Sequence, residues 1–219
     1  MNADEDFGFD VSGFIHVPQV LSAAEVAACN AALDAVGEDD GMLEWPAPWC
    51  DAFAALQEHP VLLSYLEALC GPGFAVDRAP AMVQPNGEAN GRVPLSAGDP
   101  QQNRRLRYIN NAETRVSHGV RVVWALAPAD AGVVVLVPAS HQRWFDPPAE
   151  VLEAKDDLGM TEEPKLRPGD MLLCAATLMH GVRGRPGRLV ESHFVSARMM
   201  PSAGYAEVPV PGLDQGPHG

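Results

Sequence analysis

The chain is poor in positive charge: its 219 residues hold 15 Lys and Arg against 29 Asp and Glu, a formal net charge of −14. Proteins that grip a phosphodiester backbone present basic faces, so this balance excludes a nucleic-acid partner. Cysteine is scarce. Cys29, Cys50, Cys70 and Cys174 are scattered with no C-x-x-C pair, which argues against a disulfide framework and suits a reducing compartment. No apolar run reaches the roughly 18 residues that a membrane-spanning helix needs. The segment from Met1 to Asp6 is acidic where a secretory leader is basic. Together these absences describe a cytoplasmic chain without a membrane partner. One more absence bears on chemistry: no histidine is followed two residues later by Asp or Glu.

What is present is enough apolar residue, 47% of the chain, for one good core, so a single domain over 1–219 is expected. The sequence leaves the oligomeric state open. Within the acidic whole, arginines cluster locally (Arg104, Arg105, Arg107, Arg115 and Arg121, then Arg183, Arg185 and Arg188), which suits a small, anionic substrate. The first third, about 1–73, reads as helical around one early strand, Phe14–Val17. Ser22 and Glu25 form a capping box, followed by apolar residues at helical spacing up to Gly37. Further helices are expected over 51–57 and 60–69, with Pro60 suited to a first turn. From 74 to about 205 the character is β: strands at Phe74–Val83, Val120–Leu126, Val133–Val137, Met171–Cys174 and Leu189–Ala197, each bounded by Pro, Gly or Asp. A polar stretch over 84–103 reads as a functional loop, and 143–165 as an insertion with a short helix at Ala149–Leu158. Helices followed by many short strands predict an α+β domain, mainly β, with the helices packed on one sheet.

The order of these pieces resembles the phytanoyl-CoA dioxygenase family of non-haem iron, 2-oxoglutarate oxygenases. Ser12-Gly-Phe-Ile-His-Val-Pro-Gln-Val-Leu-Ser-Ala-Ala-Glu25 is similar to that family's opening. Val122-Val-Trp-Ala-Leu126 resembles its V-x-W-x-A-L strand, and Val133 to His141 its G-x-L-x-V-V-P-G-S-H segment with Ala139 for Gly. Arg167-Pro-Gly-Asp170 and Met179-His180-Gly-Val182 resemble the approach to the distal iron histidine. The resemblance implies a double-stranded β-helix (a jelly roll) with the N-terminal helices on its major sheet. It also implies Fe(II) and 2-oxoglutarate as cofactors, with His180 as a metal ligand and Arg188 as the arginine that grips the 2-oxoglutarate carboxylate.

The resemblance fails at the other two metal ligands. A facial triad takes His-x-Asp or His-x-Glu, two ligands on one side of an extended segment, plus the distal His. In the nearest register Tyr108 stands for the His and Asn110 for the acid. An upstream alternative near Met82–Gly87 also lacks His. His118 and Glu113 are the remaining donors that could join His180, although nothing in their spacing requires it. His141 reads as structural, and alternation along the last strand puts His193 on the face opposite Arg188. Three functions follow. The first is a divergent oxygenase acting on a small organic molecule. The second is a metal-free relative, with no cofactor, that uses the same pocket for isomerisation, elimination or cyclisation, with Tyr108 or Asn110 beside His180. The third is a non-catalytic small-molecule-binding protein.

Overall fold

The computed structural model describes residues 1–37, 41–90, 92–96, 107–111, 114–129, 133–143, 145–155, 159–185 and 187–197. The chain opens on a helix that the sequence reading does not anticipate, α1 (Ala3–Ser12). The Asn2 side chain accepts from the Glu5 amide while the Glu5 carboxylate accepts from the Asn2 amide, a reciprocal cap that satisfies two orphan donors. Three acids in its first turn meet the positive end of the helix dipole favourably. β1 (Phe14–Val17) follows. Then comes α2 (Ala23–Val36) with the expected Ser22–Glu25 box, and after it α3 (Trp49–Gln57) and α4 (Pro60–Cys70).

The strands are β2 (Phe74–Met82), β3 (Tyr108–Asn110), β4 (Arg115–Ser117), β5 (Gly119–Ala125), β6 (Val134–Leu136), β7 (Met171–Ala175), β8 (His180–Val182) and β9 (Leu189–Ser196). Five form one sheet in the order β1-β7-β5-β9-β2, with every neighbouring pair antiparallel. β6 pairs with β8, and β3 with β4. From β5 to β9 the chain therefore alternates: odd-numbered strands enter the large sheet, and even-numbered ones the β6–β8 ladder. β2 lies at an edge, where its Pro80 removes no ladder hydrogen bond from a central strand. The only helix described within 143–165 is the single turn α5 (Ala149–Leu152), shorter than expected. Part of the expected 84–103 loop is built into the second layer. Ser96 exchanges both backbone hydrogen bonds with His180 (2.6 and 2.8 Å), and Gly87 bridges to Arg183.

The large sheet has two unlike faces. On β5, Val120, Val122 and Trp124 point one way. Trp124 is fully buried with its ring 5.9 Å from that of His59, which caps α4. On β9, Ser196 donates to the Cys70 carbonyl at the end of α4. This face carries the helices and the main hydrophobic core. Arg121 and Val123 on β5 and Glu191 and His193 on β9 have the opposite parity and so face away from the helices.

The turn before β7 is tied by Asp170. Its carboxylate, almost fully buried, accepts from the amides of Gln19 and Arg167 (both 2.9 Å) and lies 2.8 Å from His16 Nε2 on β1. Burial works to raise its pKa, but the two amides and the His16 ring outweigh that and hold it below the usual value. Substituting Asp170→Ala leaves those amides unpaired, so stability should fall by at least about 1–3 kcal/mol in urea denaturation. The wild-type contribution should be present at neutral pH and disappear as the pH falls through the carboxylate's depressed pKa. A variant as stable as the wild type would show that the turn holds without this tie.

Candidate active site

His180 is delivered by local geometry. The apolar strand β7 ends at a turn in which the Leu178 amide bonds to the Ala175 carbonyl, and β8 begins at His180 itself. The Leu178 carbonyl lies 3.0 Å from Nδ1 of the ring. A carbonyl can only accept, so Nδ1 carries the proton and Nε2 presents a bare lone pair. The next residue must be small: a Cβ on Gly181 would lie 2.3 Å from Val93 Cγ1 and 2.8 Å from the Pro94 carbonyl oxygen. Glycine here lets segment 92–96 close against the strand that carries His180.

The helix-free face of the sheet supplies the charges around it. Arg121 is the register partner of both Cys174 on β7 and His193 on β9, and His193 is in turn paired with Arg78 on β2. One row across the sheet therefore reads Cys174, Arg121, His193, Arg78. Glu191, two residues before His193, lies beside this row. Its Oε2 accepts from both Nε and Nη2 of Arg121 at 2.5 Å. Its Oε1 is 3.5 Å from Arg78 Nη1 and 3.8 Å from His193 Nε2. The Arg121 side chain is only 4% exposed whereas that of Arg78 is 59% exposed, so the cluster runs from the interior to the surface.

These charges shift one another. Burial works to raise the Glu191 pKa, yet His193 and Arg121 prevail and bring it down to about 2. His180 is pushed down to about 4, first by burial and then by the Arg121 guanidinium. Near neutral pH the site therefore holds an ionised Glu191 and a neutral His180. Cys174 in the same row is driven up to about 12 by burial and is no thiolate nucleophile.

The residues singled out from sequence are distributed over three places. His180 lies in the interior, within the field of Arg121, Glu191 and His193. Arg188 turns to the helical face, where it donates to Asn30 (3.1 Å) and Asp34 (2.7 Å) of α2. Tyr108 and Asn110 both donate to Asp10 of α1, at 2.5 and 2.6 Å; among the described residues neither bonds to His180. The His118 backbone joins Arg107 to Ser196. Glu113 lies outside the described residues. His141 is buried against Tyr108 and Phe9, the structural part expected of it. Alternation does put His193 and Arg188 on opposite faces, and it is His193 that faces the interior with His180. Arg121, Glu191 and Arg78 are site residues that the sequence expectations do not include. Their signal is in the sequence: Arg121 interrupts the apolar run Val120–Leu126, and Glu191 and His193 are the two titratable residues, at alternate positions, of the strand Leu189–Ser196.

Among the described residues the donor chemistry does not fit an iron site. Among the described residues no group of three His, Cys, Asp or Glu side chains could hold a metal ion. Glu191, the carboxylate among the described residues whose field reaches His180, has its Oε2 taken by Arg121 and its Oε1 facing Arg78. A divalent cation there would have to displace a buried guanidinium and remain beside it.

Comparison with solved structures supplies the fold's relatives. HygX from Streptomyces hygroscopicus, a structure with nickel and 2-oxoglutarate bound, superposes with a TM-score of 0.70 at 18% identity, over 90% of this chain and 87% of that one. ThoJ, a non-haem monooxygenase solved as a nickel complex, gives 0.61 at 20% identity, over 95% and 84%. SnoN, a non-haem α-ketoglutarate-dependent epimerase from nogalamycin biosynthesis, gives 0.58 at 18% identity, over 89% and 80%. No family model and no curated protein sequence matches the chain. At these identities the likeness establishes a shared fold, that of non-haem iron, 2-oxoglutarate-dependent enzymes.

The buried pair makes two testable demands. Glu191→Ala strands Arg121 and should cost about 3–5 kcal/mol, whereas the joint replacement Arg121→Met with Glu191→Leu should cost far less, because both desolvation penalties go together. Arg188→Ala, which loses a pair with the exposed Asp34, should cost about 1 kcal/mol, well below Glu191→Ala. Chemical denaturation of the four proteins decides this, and a double variant weaker than Glu191→Ala would contradict it. Stability should also decline as the pH falls from about 6.5 to 4, because the unfolded chain takes up protons there that half-buried His180 and buried His141, both near 4, refuse. A stability profile flat over that window would mean that these rings are protonated in the fold.

Proposed function

We propose that this chain is a metal-independent member of the jelly-roll oxygenase fold group, a single double-stranded β-helix domain that acts on a small anionic organic molecule. The alternation of β5 to β9 between two layers supports the jelly-roll assignment. The observation that carries the function is the guanidinium pairing of Glu191 beside His180. A site built to bind Fe(II) leaves its carboxylate free for the metal, and here the carboxylate is committed to two arginines. Buried Arg121 is matched by Glu191, and Arg78, at the exposed end of the cluster, is a second guanidinium beside the same carboxylate. This favours an anion despite the acidic chain. His180, neutral and with Nε2 unprotonated, can accept a proton from substrate, and Arg121 can stabilise negative charge that develops on it. Those two roles suffice for isomerisation, elimination or cyclisation without an oxidant.

The second reading, a divergent Fe(II) and 2-oxoglutarate oxygenase, draws on the fold relatives that hold nickel or iron and 2-oxoglutarate. Under it, Arg188 and donors outside the described residues, Glu113 among them, would complete the site. Anaerobic titration of metal-stripped protein with Fe(II), followed by a succinate assay under air with 2-oxoglutarate, separates the two. The metal-free reading expects no stoichiometric Fe(II) binding and no succinate. Tight one-to-one binding together with 2-oxoglutarate decarboxylation that Arg188→Ala weakens would establish the oxygenase instead.

A further inference from the structure

Two nitrogen atoms in the charged row are buried without a hydrogen-bond partner: Nη1 of Arg121 and Nε2 of His193. They belong to register partners on adjacent strands, so the two residues project from neighbouring positions on the same face of the sheet. Glu191 satisfies Nε and Nη2 of Arg121 and leaves Nη1 over, while its Oε1, at 3.8 Å, is too far to satisfy His193. Unpaired buried donors cost free energy, the more so on a charged group. A fold that keeps two of them adjacent gains once an acceptor joins them.

We propose that Arg121 and His193 form a receptor for the carboxylate of the substrate: one oxygen on Arg121 Nη1, the other on His193 Nε2–H. This rests on the metal-free reading of the interior and names its substrate class, a small carboxylic acid. Charge supports the choice of occupant. Glu191 balances the buried Arg121, and Arg78 at the exposed end supplies a second guanidinium to offset the charge of an incoming monoanion. Glu191 is a positioning residue, for it holds two of the three guanidinium nitrogens and fixes where the third is left. His180 lies within the field of the same guanidinium. A carboxylate on the receptor thus brings the carbon skeleton of the acid into the neighbourhood of the unprotonated Nε2. The partly exposed Arg78 marks the side from which an anion is drawn in.

The test uses the full-length, metal-free protein and three probes, benzoate, propanoate and inorganic phosphate. Binding is measured by isothermal titration, and the His193 ring by ¹⁵N-edited NMR. The expected result is saturable binding of the two carboxylates, with a shift of the His193 Nε2 resonance that phosphate does not reproduce. His193→Gln, which retains a donor, should keep most of the affinity, and His193→Leu should lose it. The double variant Arg121→Met, Glu191→Leu, chosen because it removes both buried charges together and so spares the fold, should weaken carboxylate binding by about thirtyfold or more. Carboxylate binding that leaves the His193 resonance unmoved, or that persists in the double variant, would overturn the receptor while leaving the metal-free reading intact. Binding that appears only after Fe(II) is added would overturn both.

Discussion

A guanidinium taken out of water must meet a carboxylate, and the helix-free side of this molecule is organised by that requirement. Arg121 is almost entirely buried, and Glu191 on the neighbouring strand takes two of its nitrogens. Neither charge is tolerable alone. The pairing therefore constrains the register of β5 against β9, because a slip of one residue would turn one partner into the helical core. Once Arg121 and Glu191 face inward, alternation places His193 inward too and sends Val190, Ser192 and Phe194 toward the helices.

The opposite face works by a different rule. There Trp124 and Phe194 are fully buried, and polar groups serve to dock helices: Asn30 donates to the Leu126 carbonyl, and Arg188 reaches Asn30 and Asp34. The acids of α1 do the same for the β3–β4 hairpin. Asp10 receives Tyr108 and Asn110, and Asp6 pairs with Arg115. The phenol and amide at the nearest match to the family's His-x-acid register are thus bonded to the N-terminal helix. Burial together with Asp10 pushes the Tyr108 phenol far above its ordinary range.

Much of the fold was legible because it rests on local signals. The Ser22–Glu25 box, Pro60 at the start of α4 and the apolar runs at β5, β7 and β9 each state their structure within a few residues. The helix at Ala3–Ser12 carries a signal of the same kind, for Asn2 and Glu5 form a box like that of Ser22 and Glu25. The site was less legible for a physical reason. Whether a strand residue faces the pocket depends on which face of the sheet the helices cover, and that is a tertiary fact. Spacing after His180 selected Arg188, which the sheet turns toward α2. Arg121 was present as a charge in an apolar strand, but its partner lies 70 residues away, and no local pattern joins them.

The central claim is that the interior operates through a guanidinium–carboxylate pair and not through iron. A crystal structure of the protein grown anaerobically with both Fe(II) and benzoate puts the two occupants in direct competition. The account predicts Glu191 still on Arg121, the benzoate carboxylate on Arg121 Nη1 and His193 Nε2, and no metal density at His180. Iron bound to His180 with Glu191 turned away from Arg121 would contradict it.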